Sequence, residues 1–230
     1  MHQLINKKKL YFYLLSFLLL TTIINQNLLQ NLEKNFFLVR NINVNTESTE
    51  LKDQIIFNLK YLKNENIFFI DKNIIKSKLN ELKFFENLII KKKYPSTILV
   101  NAKQTNLIAI TYINQKKYYL GENGKFILAN TINSKKKLPI IFGKFEASDY
   151  IDLKNKLKNL NINYNSITKY FFHKNKRWDL YYPKNIILKL PNKNIIDAMN
   201  LYKTFKNLNK IKPNTVIDLR IQNRLILKNE

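Results

Sequence analysis

Residues 88–103 read LIIKKKYPSTILVNAK. Two strands are predicted here, Leu88–Tyr94 and Thr97–Lys103, because Ile98, Val100 and Ala102 alternate with Thr97, Leu99 and Asn101 at the two-residue period of a half-buried strand. Pro95-Ser96 joins them; proline lacks the N–H a ladder needs and suits a turn. Upstream, Ile75, Leu79 and Leu82 recur at helical spacing behind Asp71, a helix-capping residue type. Further upstream Leu51, Ile55, Leu59 and Leu62 do the same behind Ser48 or Thr49, with Glu50 in the first turn, where the helix dipole favours an acid. A first strand is expected in Phe36–Val44, where Leu38, Ile42 and Val44 share one side. The order is β-α-α-β-β.

Downstream the chain turns strand-rich. Leu107–Tyr112 and Lys117–Leu120 precede Gly121-Glu122-Asn123-Gly124, an Asn-Gly hairpin signal, with Lys125–Leu128 beyond it. Further strands are expected at Tyr164–Phe172, Arg177–Tyr182, Ile186–Leu190, Thr215–Ile221 and Arg224–Lys228, the last two joined at Gln222-Asn223. Helices are expected at Ser148–Leu160 and Ile195–Leu208, with Pro213 preventing continuation. The fold class is α+β, its second part a mixed, mainly antiparallel β domain with two helices. The final strand is a natural sheet edge.

At the other end, Leu10–Leu32 carries no charge and Leu10–Ile24 is nearly all apolar, after Lys7, Lys8 and Lys9. This predicts a transmembrane helix over residues 10–29 behind a cytoplasmic stub, 1–9, with the remainder exported. A cleaved signal peptide is the rival reading, against which no small-x-small cleavage site follows the apolar run.

The formal net charge is +24, from 36 Lys and 4 Arg against 16 acids, alongside 35 Asn and only 3 Gly and 5 Ala. Lys, Asn, Ile, Phe and Tyr belong to A/T-rich codons, so base composition explains much of the skew. The lysines are spread along the chain instead of clustered, and arginine, the residue of bidentate phosphate and guanine contacts, is scarce; nucleic acid is a poor partner. The absence of Cys excludes disulfides and thiolate metal sites. The histidines, His2 and His173, have no metal-ligand spacing around them, and His173 reads as structural or surface. Asp149 and Asp152 read as a charge cluster at a helix start. No nucleophile motif or phosphate loop is present, so neither an enzyme nor a cofactor is expected.

The motif order resembles the FtsQ/DivIB family of bacterial cell-division proteins. Carrying it are Asn66-Ile-Phe-Phe-Ile-Asp71, Lys93-Tyr-Pro-Ser-Thr97, Leu107-Ile-Ala109, Leu120-Gly-Glu-Asn-Gly124, Leu138-Pro-Ile-Ile-Phe-Gly143, Arg177-Trp-Asp-Leu180, Leu188-Lys-Leu-Pro191 and Ile217-Asp-Leu-Arg220. The resemblance implies a POTRA module over residues 36–104 and an FtsQ-type β domain over 105–230. It further implies a non-enzymatic inner-membrane scaffold at the septum, which binds FtsB- and FtsL-like partners by adding a partner strand to the edge of the last sheet. Arg220 would offer its guanidinium to a partner carboxylate, with Ile221, Arg224, Leu225 and Leu227 along the edge and Lys176 and Arg177 near the contact surface. Better-known members carry an aromatic directly after that arginine and another in the terminal strand, where this chain has aliphatic residues. The alternative is a cationic envelope protein that binds acidic wall polymers or lipids, an association that salt would abolish.

Overall fold

The computed structural model describes residues 7–22, 37–132, 134, 136–208 and 211–229. The chain divides into two compact units, residues 1–77 with 88–102 and residues 78–87 with 103–230. The N-terminal helix α1 spans Lys7–Thr22, 16 residues. Excluding its three lysines leaves about 20 Å of uncharged helix against a hydrocarbon core of about 30 Å. Among the described residues no helix is long and apolar enough to cross a membrane. The transmembrane helix expected over 10–29 is therefore corrected, and the topology drawn from it has no spanning helix among the described residues; residues 23–29 of that expectation lie outside the described residues.

A three-stranded sheet of order β1-β3-β2 contains β1 (Asn41–Asn45), β2 (Phe85–Lys93) and β3 (Thr97–Gln104). β1 runs parallel to β3, with Ile42 opposite Ile98 and Val44 opposite Val100. Between β1 and β2 come α2 (Thr49–Leu59) and α3 (Lys72–Asn80). Ser48 caps α2, its hydroxyl accepting from the Leu51 N–H at 3.3 Å. Before α3, Asp71 accepts from the Asn73 N–H at 2.7 Å. Leu51, Ile55, Leu59, Leu62, Ile75 and Leu79 are buried at the spacing the sequence predicts. The first strand is shorter than expected, since the backbone of Phe37 and Val39 pairs with residues 64–67 instead of entering the ladder.

The second sheet has nine strands in the order β12-β11-β10-β9-β8-β7-β4-β5-β6. They are β4 (Leu107–Ile113), β5 (Lys116–Gly121), β6 (Phe126–Leu128), β7 (Ile140–Phe142), β8 (Lys169–Phe172), β9 (Trp178–Tyr182), β10 (Ile186–Lys189), β11 (Thr215–Asp218) and β12 (Ile226–Asn229). Two helices, α4 (Ala147–Asn159) and α5 (Ile195–Leu208), supply Tyr150, Leu153, Leu157, Met199 and Tyr202 to a core shared with Ile141, Tyr170, Leu180, Leu188 and Ile217 of the strands. Glu146 is the N-cap of α4 and Asp149 completes a capping box with it, accepting from the Glu146 N–H at 2.9 Å, which accounts for the acid at 149. Trp178 is 3% exposed in this core.

With so few glycines, the chain turns on asparagine. Asn64, Asn114, Asn161, Asn185, Asn194, Asn214 and Asn223 all have positive φ, a conformation asparagine tolerates better than most residues because its side chain bonds locally to the backbone. At Gly143, φ is +102° and an added Cβ would lie 2.0 Å from the Phe172 carbonyl oxygen. No side chain fits there. Gly143→Ala is expected to destabilise the second unit by about 3 kcal/mol or more, measured by urea unfolding with Trp178, the one tryptophan of the chain, as the fluorescent reporter. A cost below about 1 kcal/mol would show that the loop relaxes freely.

Candidate partner-binding edge

The register defines what each face of the nine-stranded sheet carries, because residues opposite one another on neighbouring strands share a face. Tyr170, Leu180, Leu188, Ile217 and Leu227 form one row, on the face that packs against α4 and α5. Phe171, Asp179, Lys189, Asp218 and Ile226 form a row on the opposite face. Among the described residues β12 ends the sheet; all four of its residues are exposed and only its β11 side is paired. Such an edge presents unpaired N–H and C=O groups to any strand that can approach.

The expected site residues gather at this end of the sheet. Arg220 directly follows β11 and folds back on Asp218. Its Nε donates to Asp218 Oδ1 at 2.8 Å and to Oδ2 at 2.9 Å, its Nη2 donates to Oδ2, and its backbone N–H donates to Oδ1 at 3.0 Å. The Arg220 hydrogen bond is the main reason the Asp218 carboxyl lies below the usual carboxylate range, with the positive charges of Arg220 and Lys189 adding to it; the same bond raises Arg220. Half of the arginine fork is thus engaged within the chain, and the residue stays exposed. Ile221 and Arg224 close the turn between the strands, Arg224 N–H donating to the Ile221 carbonyl at 3.2 Å, and both are exposed. Leu225 lies just outside β12 and packs against the core. Leu227 lies within β12, 48% exposed.

Lys176 and Arg177 sit in the turn from β8 to β9. That turn is at the same end of the sheet, two strands inward of β11 or about 10 Å across the ladder. Lys176 is exposed with φ +58°. Arg177 is half-buried, and its Nε has no hydrogen-bond partner. Between the start of α5 and the β11–β12 turn lies a groove of about 370 Å³, lined by Asp197, Ala198, Leu201, Leu219, Arg220 and Arg224 among others.

One member of this region carried no signal in the sequence. Asp179 is 4% exposed, and its Oδ2 lies 2.8 Å from His173 Nε2, while its Oδ1 has no partner. The alternation of Trp178, Leu180 and Tyr182 places Asp179 on the opposite face from the core, which reads as solvent-exposed; only the strand pairing reveals that neighbouring strands enclose it. Among the described residues no group of His, Cys, Asp and Glu stands ready to hold a metal ion.

A small sheet with two helices, followed by a helix-backed, nine-stranded sheet that ends in an exposed strand, defines the class: a two-domain α+β protein. The family model for the POTRA domain, FtsQ-type, matches residues 37–103, and the model for the C-terminal part of cell division protein FtsQ/DivIB matches residues 109–220. The chain is 24% identical over 165 residues to a cell division protein FtsQ of Rhizobium radiobacter, covering 71% of this chain and 79% of that one. It is 22% identical over 204 residues to one of Rickettsia bellii, covering 88% and 76%. A cell division protein DivIB of Clostridium acetobutylicum is 32% identical over 91 residues, 39% and 36% of the two chains. The chain belongs to the FtsQ/DivIB family of cell-division proteins.

Because Asp218 has a lowered pKa in the folded chain, its ion pair with Arg220 is intact above the unfolded value of about 3.9 and is lost as pH falls through the lower folded value. The amide resonances of residues 220–224 should shift in that acid window, and Asp218→Asn should abolish the transition. A transition at or above pH 4 would refute the pairing.

Proposed function

We propose that this protein is a non-enzymatic scaffold of the division machinery that captures an FtsB/FtsL-like partner by strand addition to β12, and so helps recruit and regulate septal wall synthesis. The observation that carries the proposal is the free edge itself: the last strand of the chain is also the last strand of the sheet, with all four residues exposed. Main-chain hydrogen bonds to that edge supply affinity, and alternate side chains supply selectivity. On β12 the alternation puts Leu227 on the face of the helices and Ile226 and Lys228 on the other.

Arg220 and Arg224, beside the groove at the start of α5, give an acidic partner residue its docking point, and Ile221 offers an aliphatic contact in place of an aromatic one. The self-pairing with Asp218 orients Arg220 before a partner arrives, which lowers the ordering cost of binding. Lys176 and Arg177 extend the positive rim inward. We assign the edge-bearing β domain to residues 105–230 and the POTRA module to 36–104, a division that the two family-model matches support.

The test is capture of the exported segments of an FtsB–FtsL pair from the same cell by the full chain, at low and high salt. Capture that persists at high salt is expected; loss on adding salt would instead favour a cationic envelope-binding protein. Successive residues of a strand point their N–H groups to opposite sides, so of Leu227→Pro and Lys228→Pro one removes an outward donor and the other breaks the pairing to β11. Both should weaken capture tenfold or more, and the variant that loses only the outward donor should leave the Trp178-reported unfolding midpoint unchanged. Undiminished capture by both variants would refute the edge as the site. Leu225→Pro, suggested by the strand limits expected from sequence, is the weaker test because Leu225 lies outside the ladder.

A further inference from the structure

In the first unit the segment Asn66-Ile-Phe-Phe-Ile-Asp71 gives Ile67 to the core, 0% exposed, and leaves Phe68 and Phe69 outside it, 52% and 87% exposed. Tyr94, in the turn between β2 and β3, is 53% exposed. The fold brings these two turns together at the start of β1. There the Ile67 N–H donates to the Phe37 carbonyl at 2.8 Å, and the Arg40 N–H donates to the Ser96 carbonyl at 2.9 Å. The Phe68 ring packs on Phe37 at 4.8 Å and stacks on Tyr94 at 5.1 Å, the latter two planes 26° apart. The result is an aromatic cap at one end of the small sheet, with Phe69 almost wholly in the open.

Cations accompany the cap. The Lys92 ammonium donates to the Phe68 carbonyl at 3.0 Å, which holds a charge beside the rings. Lys93 directly precedes Tyr94, Lys72 follows Phe69 by three residues and Arg40 adjoins the Ser96 turn; all three are exposed. The acids in the same segments are Glu65 and Asp71, and Asp71 already accepts from the Asn73 N–H at 2.7 Å. Positive charge therefore prevails around the rings.

We propose that this cap is a docking surface for an anionic lipid bilayer, its rings entering the boundary between headgroups and acyl chains and its ammonium groups meeting headgroup phosphates. Three observations select this occupant. Exposed aromatics beside lysines match the layered chemistry of a bilayer surface, apolar within and negatively charged at the rim. The rings stand on turns and so form a convex tip, which a fluid interface can close around and which a folded partner would have to meet with a matching groove. The described chain resumes at Phe37, at the base of the cap, after α1, whose Leu10, Tyr11, Phe12, Leu14, Leu15 and Phe17 are each 47% exposed or more; an apolar surface of that extent calls for a covering. Helix and cap thus ask for the same surroundings, and a cap that only dips into the interface requires no spanning helix. The inference concerns the first unit and is independent of the edge on β12.

Because the chain has no cysteine, an environment-sensitive fluorophore can be attached to a single introduced thiol in the full chain. Phe69→Cys puts it on the cap, and Asn45→Cys puts it at the far end of β1, about 16 Å along the strand from Arg40. In phosphatidylcholine vesicles with about a quarter phosphatidylglycerol, the probe at 69 should brighten, shift to the blue and be quenched by nitroxide-bearing lipids. The probe at 45 should show none of these. An unchanged probe at 69 would overturn the proposal even where α1 carries the chain to the vesicles, and so would equal responses at 69 and 45. Lys72→Gln and Lys93→Gln should each weaken the response at 69 roughly fivefold at low salt; an undiminished response in the double variant would overturn the anionic headgroup as what the cap recognises. A photo-crosslinking residue at 69 that joins to protein and not to lipid in cells would overturn the bilayer as the occupant.

Discussion

The second unit depends on one line of side chains that crosses seven strands: Thr111, Ile141, Tyr170, Leu180, Leu188, Ile217 and Leu227. The first six are at most 2% exposed, and shifting β8, β9, β10 or β11 by one residue would pull its member out of the core and bring Lys169, Asp179, Lys189 or Asp218 toward it. That penalty locks the register. Burial of Tyr170, and of Tyr150 which packs edge-to-face with it at 5.0 Å, also pushes both phenols well above their ordinary pKa. The opposite face follows from the same register: the alternation of Asp179, Lys189 and Asp218 across three strands, and the position of Arg220 at the end of β11.

The line runs out at β12, where Leu227 is half exposed because no further strand covers it. The edge is thus a place where the core pattern continues one residue beyond the structure that buries it. A four-residue strand with Lys228 on it is short and charged enough to discourage indiscriminate pairing, the usual protection of a natural edge. The same features permit a chosen partner: main-chain groups remain available, and the aliphatic side chains on both faces give an incoming strand something to pack against.

Periodicity carried most of this fold into the sequence. Helix α5 falls on the predicted limits because its apolar stripe, its start after Asn194 and the proline beyond it all agree, and Ser48 and Asp71 act as the helix-start residues their types suggest. Strand β7 was illegible: three residues are too few for an alternation, and its parallel pairing with β4 and β8 is a long-range property. The Asn-Gly turn is legible as a turn but not in its geometry, since Gly124 alone has positive φ while Asn123 turns its side chain to the carbonyls of Lys83 and Phe85. In the candidate site the motif Asp218-Leu-Arg220 was visible, whereas the capture of the arginine by its own aspartate depends on backbone direction after β11. The N-terminal apolar run was legible as a helix, but among the described residues that helix is 16 residues long, short of a membrane span.

Charge illustrates how composition and placement separate. A net +24 implies a surface field that any polyanion would feel, and scattered lysines would by themselves make a promiscuous surface. Acids are few, so where they sit decides which positive groups remain unmatched. Asp218 and Asp179 are spent on the face beside the edge, and Glu122, held below the ordinary carboxylate range first by the Asn106 amide and then by Lys154, is spent at the other side of the sheet. Near β12 this leaves a local pattern in place of a uniform field: a row in which Asp179, Lys189 and Asp218 alternate in sign, and an arginine held by its own aspartate. Selectivity can arise from such a pattern even on a chain with a large positive net charge, because a partner must match positions and not merely sign.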